Sequence, residues 1–399
     1  MKKNGAVIAK DSKYIVQSYS RNPAALVRGR GTRVWDADGR VYLDFLTGIT
    51  VNTLGHAHPA VSSALRGQLA KITHVGNLFY SDAQAELAEK LVKISFGKRV
   101  AFVNTGAEAN ELCIKVARQH GLASGRFEII TFANSFHGRS YGALSASGQD
   151  KLHKNMGPLL PGFKYAQFND LKSVAKLVGK KTCAVMVEPI QGEGGVVPAD
   201  REFLLGLRRL CSAKNLLLIV DEIQTGLGRT GRMFCYQHFG SAFVPDVMSL
   251  GKALGGGLPL AAVVVGPRAQ TLIGKGQHGT TMGGNAVACA AGLALLKELE
   301  LPGLLKRVGR LGEKMRAEIA TMPLVKQVRG RGLMIGAELE IPASEVVRTA
   351  LERGLIVNAT AENILRLHPP LNVKDHEVTK AMNILRGSLE SLAARHQKD

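Results

Sequence analysis

The fold is decided by two segments, Leu216-Leu217-Leu218-Ile219-Val220-Asp221 and Val247-Met248-Ser249-Leu250-Gly251-Lys252. Each segment is a short, largely apolar run with a charged residue at its end. Runs of this kind are typical of strands that are buried on both faces of a sheet. We therefore predict two strands of one sheet, which end close to Asp221 and Lys252.

Similar apolar runs alternate with helical patterns through the middle of the chain. The helical patterns have apolar residues three and four positions apart, as in Ala109 to Val116 and Phe203 to Cys211. This alternation predicts an α/β fold with a mostly parallel central sheet and flanking helices. In such sheets, ligands bind beyond the carboxyl ends of the strands. The other predicted strands are 100–103, 128–131, 184–187 and 261–265.

The pattern changes after about residue 304, where the sequence predicts a smaller α+β domain. Its expected elements are a long amphipathic helix, a glycine-rich strand from Gly330 to Leu339, a helix from Ser344, and strands at 355–357 and 364–367. This domain would complete the fold.

A chain of 399 residues exceeds the size at which a single core usually stops growing, so we expect two domains. We predict a large domain over residues 61–303 and a small domain over residues 304–399. A turn-and-strand signal from Gly39 to Asp44 indicates that an N-terminal segment, residues 1–60, packs with the small domain.

The composition is that of an ordinary globular protein, with 45% hydrophobic and 21% charged residues. No apolar run has the length of a membrane span, and Met1 to Gly5 lead into no secretory signal, so we expect a cytoplasmic protein. The 5 cysteines lie far apart along the chain, which indicates reduced, buried side chains and no metal site.

The formal charge of 52 − 32 = +20 raises the question of nucleic-acid binding. The lysines and arginines are scattered, however, and no helix-turn-helix, zinc-finger or RNA-binding signature is present. We expect no nucleic-acid partner. A diffuse positive field that attracts small anions, or a compositional bias of the lineage, explains the charge better.

Chemistry-bearing residues follow three of the predicted strands. Thr105 and Glu108 have the spacing of a capping box, so a helix begins beside Gly106, where free backbone N–H groups could bind a phosphate. Asp221 and Lys252 follow two further strands. A lysine for a Schiff base, a carboxylate for a pyridinium nitrogen and a phosphate cradle are what pyridoxal phosphate requires.

Two further segments could complete such a site. Residues 134–139 supply an aromatic face at Phe136 and a carboxylate ligand at Arg139. The glycine-rich segment 278–285 supplies the hydroxyls of Thr280 and Thr281. Each of these features could also be ordinary packing or surface charge.

Together these motifs resemble the class III, fold-type I aminotransferases over nearly the whole chain. The similarity lies in the order and spacing of many modest motifs rather than in any one of them. They are Leu54 to Pro59, Asn77 to Tyr80, Asn104 to Asn110, Phe136 to Arg139, Glu188 to Gly195, Asp221 to Gly226, Gly228 to Gly231, Gly251 to Gly257 and Arg331 to Gly336.

The resemblance implies a role for each matched residue. Gly106 and Ala107 would bind the cofactor phosphate, Phe136 would stack on its ring, and Gln224 would approach its phenolic oxygen. Thr281 would reach the phosphate of the partner subunit's cofactor in a homodimer with shared active sites. The complete implied set of cofactor-binding residues is Thr105, Gly106, Ala107, Phe136, Asp221, Glu222, Gln224, Lys252 and Thr281.

The resemblance also implies the substrates. Arg139 and Thr280 would bind substrate, and Glu193 would pair with Arg366 as a gate between two carboxylate-bearing substrates. The expected reaction moves the δ-amino group of N2-acetyl-L-ornithine to 2-oxoglutarate, with Lys252 and Asp221 as catalytic residues.

Several alternatives remain open at this point. Ornithine, 4-aminobutyrate, succinyldiaminopimelate or a carrier-linked lysine intermediate could be the amine donor, and an aminomutase would share the same cofactor site. A metal-dependent hydrolase built on the 11 histidines is a distant alternative, because no HExxH motif occurs. A nucleic-acid-binding protein is suggested by charge alone.

Overall fold

The computed structural model describes residues 3–397; residues 1, 2, 398 and 399, which belong to the predicted domain ranges, lie outside the described residues. The strands are β1 Leu26–Arg30, β2 Arg33–Asp36, β3 Val41–Asp44, β4 Arg99–Val103, β5 Glu128–Phe132, β6 Phe163–Ala166, β7 Thr182–Val187, β8 Ile190–Gln191, β9 Val197–Pro198, β10 Leu217–Asp221, β11 Val247–Leu250, β12 Ala261–Val265, β13 Val325–Arg331, β14 Met334–Leu339, β15 Leu355–Ile356, β16 Asn358–Thr360 and β17 Ile364–Leu367.

The helices lie before, between and after these strands. They are α1 Lys3–Tyr14, α2 Thr47–Thr50, α3 Pro59–Leu69, α4 Asp82–Lys93, α5 Gly106–Gly121, α6 Tyr141–Ala146, α7 Asp150–His153, α8 Leu171–Leu177, α9 Arg201–Ala213, α10 Ala286–Leu299, α11 Leu304–Ile319, α12 Ala343–Glu352 and α13 Asp375–His396. Three short 3-10 helices add Leu122–Ser124, Cys235–Phe239 and Lys252–Gly255.

The central sheet has seven strands in the order β4-β12-β11-β10-β7-β5-β6. Strand β12 runs antiparallel to both of its neighbours, and the other neighbouring pairs are parallel. The prediction of a mostly parallel sheet is therefore confirmed, and each predicted strand of the large domain is present. Strand β6 was not predicted, because Lys164 and the half-exposed aromatic residues around it give no apolar run.

Successive residues of a strand point to opposite faces of the sheet, and this alternation divides the core in two. Leu217 and Ile219 of β10 belong to the cluster that packs against α5, whereas Leu218 and Val220 belong to the larger cluster on the other face. Strands β7, β10 and β11 are buried on both faces, as predicted.

The same prediction is wrong for β4. This strand lies at the edge of the sheet, where Ala101 is exposed and Val100 and Phe102 are half-buried. An apolar composition alone cannot distinguish a central strand from an edge strand, because sheet order is set by contacts between distant parts of the chain.

The small sheet has the order β13-β14-β17-β16. The single strand predicted from Gly330 to Leu339 is instead the second half of an antiparallel hairpin of β13 and β14. The break falls at Gly332, whose φ of +55° favours glycine, and a side chain there would lie 2.6 Å from the backbone of Thr230. Glycine therefore marks a turn here rather than a strand interior.

The N-terminal strands form a third sheet in the order β1-β2-β3-β15. Strand β15, from the C-terminal part of the chain, pairs in parallel with β3. This pairing agrees with an N-terminal segment that packs with the C-terminal part, although the boundaries 1–60, 61–303 and 304–399 remain predictions.

The 5 cysteines are all free and buried, as the sequence predicted. Within residues 3–397, every helix falls short of the length or hydrophobicity that crossing a membrane requires.

Arg229 connects the central sheet to the rest of the molecule. Its guanidinium donates to the carbonyl oxygens of Leu333 (3.2 Å) and Pro369 (2.6 Å) and to the hydroxyl of Thr53 (3.3 Å). Burial lowers the pKa of Arg229 to about 9. No carboxylate of the described residues forms a salt bridge with this cation, so the two carbonyl oxygens and the hydroxyl are its acceptors.

Replacing Gly332 by alanine tests this contact. We expect Gly332→Ala to lower the free energy of unfolding by at least about 2 kcal/mol, because the positive φ and the Thr230 backbone both oppose a side chain. Gly309→Ala in α11 is the matched control, since a Cβ there meets open space and should stabilise the helix by up to about 1 kcal/mol. Urea unfolding of both variants measures the difference, and equal midpoints would contradict the contact.

Candidate active site

The carboxyl ends of β4, β10 and β11 border a cavity of about 340 Å³. Most of the predicted site residues meet there, although they are far apart in the sequence. They are Thr105, Gly106, Ala107, Phe136, Arg139, Glu193, Asp221, Gln224 and Lys252. Side chains that the prediction did not include, among them His137 and Glu188, line the same cavity.

One end of the cavity is the start of α5. Thr105 is the N-cap, and its hydroxyl accepts from the N–H of Glu108 at 3.2 Å, while the Glu108 carboxylate accepts from the N–H of Thr105 at 3.3 Å. The predicted capping box is thus confirmed. Gly106 leaves room for Ile223, which a Cβ would approach to 2.9 Å. The free N–H groups and positive dipole of the first helical turn suit a phosphate.

Asp221 ends β10 and is almost completely buried. One of its carboxylate oxygens accepts from Asn110 and His137, both at 2.8 Å, and the other accepts from the N–H of Ile223 at 3.0 Å. A carboxylate has about four acceptor positions, so about one remains available for a further donor such as a ring nitrogen.

His137 is fully enclosed beside this carboxylate. Burial opposes a charge on the ring, but the hydrogen bond and the negative charge of Asp221 outweigh it and raise the pKa of His137 above its ordinary value. The hydrogen bond to His137 holds the Asp221 carboxylate in place at the cavity wall.

Lys252 follows β11 and is half-buried at the cavity wall. Its φ of +43° is rare for a residue with a side chain, and such strain occurs mainly where function requires it. Burial lowers the pKa of Lys252 to about 8, a change that the negative charge of Glu193 partly opposes. The amine of this side chain therefore loses its proton at a lower pH than an ordinary lysine does.

Glu193 reaches Arg366, as the resemblance implied. The Arg366 guanidinium donates to the Glu193 carboxylate at 2.6 Å and to the carbonyl of Gly192 at 3.3 Å. Asn358 contributes an amide oxygen that accepts two further bonds from Arg366, at 3.1 and 2.7 Å. Burial alone would raise the pKa of Glu193, but Arg366 and Lys252 outweigh burial and lower it.

Glu188 joins two segments of the site. Its carboxylate accepts from the N–H groups of Phe136 (3.0 Å) and Gly192 (3.2 Å). Burial raises the pKa of Glu188 to about 7, against the opposing effect of His137. The segment that carries Phe136 and the turn that leads to Glu193 are thereby held together.

Glu222 does not line this cavity, in contrast to the prediction. Its carboxylate accepts from the N–H groups of Cys235 (2.8 Å) and Tyr236 (2.7 Å) and from the hydroxyl of Thr225 (2.9 Å). Burial raises the pKa of Glu222 to about 7. Because neighbouring residues of a strand point to opposite faces, Asp221 is directed toward α5 and Glu222 away from it.

The remaining predicted residues lie at the margin of the site. Arg139 is exposed at the cavity mouth, with its guanidinium 5.7 Å from the centre of the Phe136 ring. Thr280 and Thr281 do not line the cavity; they lie near the edge strand β4, where the Thr280 hydroxyl accepts from Asn104 at 2.8 Å.

Sequence reasoning missed Asn110, His137, Glu188 and Asn358. A signal existed for Asn110, which is a polar residue on the apolar face of the predicted helix and therefore needs a buried partner. A signal also existed for Glu188, which directly follows the predicted strand 184–187 as Asp221 and Lys252 follow theirs. His137 and Asn358 carry no comparable local signal, because their partners come from segments that are distant in the sequence.

The cavity fits pyridoxal phosphate. A helix N-terminus suits the phosphate, the remaining acceptor position of Asp221 suits a protonated ring nitrogen, and Lys252 supplies the amine. The amide oxygen of Gln224 is buried without a hydrogen-bond partner among the described residues, which indicates a polar group that belongs beside it. No group of three or more metal-ligating side chains occurs in residues 3–397.

Known proteins share this sequence and this fold. The family model "Aminotransferase class-III" matches residues 14–389. Curated acetylornithine aminotransferases from Caldanaerobacter subterraneus subsp. tengcongensis and Bacillus subtilis are 45% and 43% identical to the chain. The alignments cover 97% and 96% of this chain and 100% and 99% of those proteins.

Solved structures give the same result. An ornithine aminotransferase from Toxoplasma gondii, with pyridoxal phosphate at partial occupancy, superposes with a TM-score of 0.95 at 34% identity over 99% of this chain and 96% of that one. Acetylornithine aminotransferase from Elizabethkingia anophelis gives 0.87 at 30% identity over 98% and 100%. Fold and site thus define a pyridoxal-phosphate-dependent transaminase of fold-type I. The chain belongs to the aminotransferase class-III family.

The acidity of Lys252 can be measured in the cofactor-free protein. Only the unprotonated amine reacts with an acylating reagent, so labelling of Lys252 should rise with pH through about 8. Lysines in model peptides titrate near ~10.4, about two pH units higher. Mass spectrometry of the digested protein compares Lys252 with surface lysines such as Lys151; labelling of both along one pH curve would contradict the lowered pKa.

Proposed function

We propose that the protein transfers the δ-amino group of N2-acetyl-L-ornithine to 2-oxoglutarate, which yields N-acetyl-L-glutamate 5-semialdehyde and L-glutamate in arginine biosynthesis. Curated relatives at 40–45% identity over nearly their full lengths support this reaction. The structural observation that carries it is one cavity lined by Lys252, Arg139 and Glu193, in which Glu193 forms a salt bridge with a second arginine, Arg366.

In this proposal the cofactor is held by residues from three strand ends. The N–H groups of Gly106 and Ala107, with Thr105, bind the phosphate, Phe136 stacks on the ring, and Gln224 contacts the phenolic oxygen. Asp221 accepts a hydrogen bond from the ring nitrogen, and a charge-assisted bond of this kind contributes roughly 1.5–3 kcal/mol. Bound pyridoxal phosphate supplies an electron sink that stabilises negative charge at the substrate carbon.

Lys252 has two roles here: it binds the cofactor, and its amine takes a proton from the δ-carbon of the amine donor. A general base works best when its pKa lies near the working pH, and burial brings Lys252 close to that range. Asp221 is fixed by Asn110 and His137, so it accepts the hydrogen bond from the ring nitrogen without a change of position.

The two arginines account for two substrates that both carry carboxylates. Arg139, at the mouth of the cavity, binds a carboxylate of either substrate, with Thr280 as a second contact. Arg366 is neutralised by Glu193 while the amine donor is bound, and it binds the additional carboxylate of 2-oxoglutarate when Glu193 moves away. This gate lets a single cavity accept two different substrates in turn.

The paired carboxylates of the cavity favour an acetylated amine donor over ornithine. Ornithine has a second ammonium group, which needs an acceptor when it is buried. Asp221 is bonded to His137, Glu193 to Arg366, and Glu188 to two backbone N–H groups. The acetamide of N-acetylornithine is neutral and therefore needs no such acceptor from this chain.

Ornithine is nevertheless the second candidate, because the TM-score of 0.95 is to an ornithine aminotransferase. The other ω-amine donors named above have no specific feature of this structure in their favour.

We also propose a homodimer with shared active sites. Leu78, Phe79 and Tyr80 form an exposed apolar patch, with Tyr80 fully exposed and Leu78 94% exposed. Asn77, next to this patch, donates to the carbonyl oxygens of Thr280 and Gly283 at 3.1 Å. A patch of this kind marks an interaction surface. A partner subunit bound here would have its active site close to Thr281 of this chain.

The division into a large domain over 61–303, a small domain over 304–399 and an N-terminal segment over 1–60 is part of the same proposal. It places the cofactor residues in the large domain and Arg366 in the small one. A cytoplasmic location is also proposed, as expected for a biosynthetic enzyme of small metabolites.

Replacing Lys252 tests the proposed function. We expect Lys252→Ala to lower kcat by at least ~10²-fold, because both cofactor attachment and proton transfer are lost. In the parent protein, borohydride should attach the cofactor to the peptide that contains Lys252. Exposed Lys151→Ala is the matched control and should retain parental turnover.

The same assay identifies the amine donor. N-acetylornithine should give the highest kcat/KM in a panel with ornithine, 4-aminobutyrate and succinyldiaminopimelate. A higher value for ornithine would replace the proposed substrate, and parental turnover by Lys252→Ala would remove the proposed mechanism.

A charged residue in the apolar patch tests the dimer. The parent protein should scatter light as a particle of twice the 42.7 kDa chain mass. Phe79→Glu should shift it toward the monomer and lower activity, because the shared sites separate. Leu122→Glu, which places the same charge at another exposed apolar residue, should change neither. A fully active parental monomer would refute the shared site.

A further inference from the structure

Arg366 makes four hydrogen bonds, and only one of its acceptors carries a charge. The guanidinium is 1% exposed and is bonded to Glu193, to the carbonyl of Gly192, and twice to the amide oxygen of Asn358. Glu193 is the one carboxylate of residues 3–397 that forms a salt bridge with Arg366. The acceptor that makes the most bonds with this buried cation is therefore neutral.

The sheet fixes where these contacts fall. Asn358 of β16 is the antiparallel register partner of Arg366, and Gly336 of β14 is its partner on the other side. Register partners lie directly opposite each other, so Asn358 meets Arg366 without any loop having to close. The strand that carries Arg366 is held between two neighbours and cannot shift independently.

The contacts occupy two different edges of the guanidinium. The amide oxygen of Asn358 accepts hydrogen bonds from Nε and Nη2, whereas Nη1 donates to Glu193 and Gly192. The Glu193 side chain is 28% exposed, so it can leave toward solvent far more easily than Arg366 can. After Glu193 leaves, the bonds to Asn358 and to the carbonyl of Gly192 remain, and the Nη1 N–H that Glu193 occupied is free for another carboxylate.

We propose that Asn358 is a positioning residue that determines specificity for the dicarboxylic keto acid. It holds Arg366 in place through a neutral oxygen and leaves the positive charge of Arg366 for the substrate. This inference rests on the proposed function, in which 2-oxoglutarate displaces Glu193 from Arg366.

The charge count explains why an amide is required. With Asn358, Arg366 and Glu193 sum to zero, and departure of Glu193 leaves one positive charge for the keto acid. An aspartate at position 358 would accept the same two hydrogen bonds and have almost the same shape. It would also neutralise Arg366 permanently, so no net charge would remain to attract a second carboxylate.

The test measures the two half-reactions separately in the holoenzyme, by following the cofactor absorbance in single turnovers. For Asn358→Asp we expect the apparent Kd of 2-oxoglutarate to rise about tenfold or more. The half-reaction with N-acetylornithine should stay within about twofold, because Arg366 is already neutralised while that substrate is bound. Asn358→Ala keeps the positive charge of Arg366 but no longer orients its guanidinium, and should raise the apparent Kd of 2-oxoglutarate by about threefold.

Asn363→Asp is the matched control. It adds the same charge one residue before β17 begins, where Asn363 contacts the carbonyl of Leu339 and has no bond to Arg366. The apparent Kd of 2-oxoglutarate should stay within about twofold of the parental value in this variant. Circular dichroism and cofactor absorbance establish that each variant folds and is loaded.

A second substitution distinguishes a charge effect from a folding effect. In the Asn358→Asp background, Glu193→Gln removes the carboxylate that competes for Arg366, but the new carboxylate still neutralises this cation. The double variant should therefore bind 2-oxoglutarate about tenfold more weakly than Glu193→Gln alone. Glu193→Ala alone should lower the discrimination between the amine donor and glutamate, because Arg366 is then never masked. A folding defect at position 358 would weaken the half-reaction with the amine donor as well, whereas the charge effect is confined to 2-oxoglutarate.

The outcomes separate the two proposals. A parent protein that does not turn over 2-oxoglutarate would contradict the proposed function. An active parent, combined with an Asn358→Asp variant that behaves like Asn363→Asp or loses both half-reactions equally, would overturn the role of Asn358 alone.

Discussion

A buried carboxylate has to be paired, and the pairing of Asp221 organises this molecule. Asp221 ends a strand of the central sheet whose residues are all buried, and an unpaired charge there would cost several kcal/mol. Asn110 of α5 and His137 of the segment after β5 supply its partners. One carboxylate thus fixes a strand, the helix whose N-terminus suits a phosphate, and the segment that carries Phe136. The positions of the groups around the cavity follow from that pairing.

The same principle extends to the cations. Burial lowers the pKa of Lys252 to about 8, Arg366 is neutralised by Glu193, and Arg229 donates to two carbonyl oxygens and a hydroxyl. Arg229 bonds to Leu333, directly before β14, and to Pro369, two residues after β17, the strand that carries Arg366. Arg229 therefore ties the strand that carries Arg366 to the segment that follows the central sheet. Hydrogen bonds from this buried cation join the two parts of the molecule.

Local patterns predicted much of this fold. The apolar runs identified the strands of the central sheet, with the exception of β6, whose composition is mixed. The capping box at Thr105 located the start of α5, and the lysine and aspartate at strand ends proved to line one cavity. The prediction was wrong where only sheet order could decide the outcome: β4 proved to be an edge strand, and Gly332 ended a strand instead of continuing it. The prediction placed Glu222 among the cofactor-binding residues, although the alternation of a strand already directs its side chain away from that of Asp221.

The sequence by itself determined which segments become strands and helices and which reactive side chains end them, because these properties depend on neighbours a few residues apart. It also determined, through the motifs, the family to which the chain belongs. Tertiary structure alone decided that Asn110 and His137 hold Asp221, that Asn358 holds Arg366, and that Arg229 joins the two sheets. Each of these contacts links segments that meet only when strands take their order and register, and a pattern of local hydrophobicity carries no information about that order.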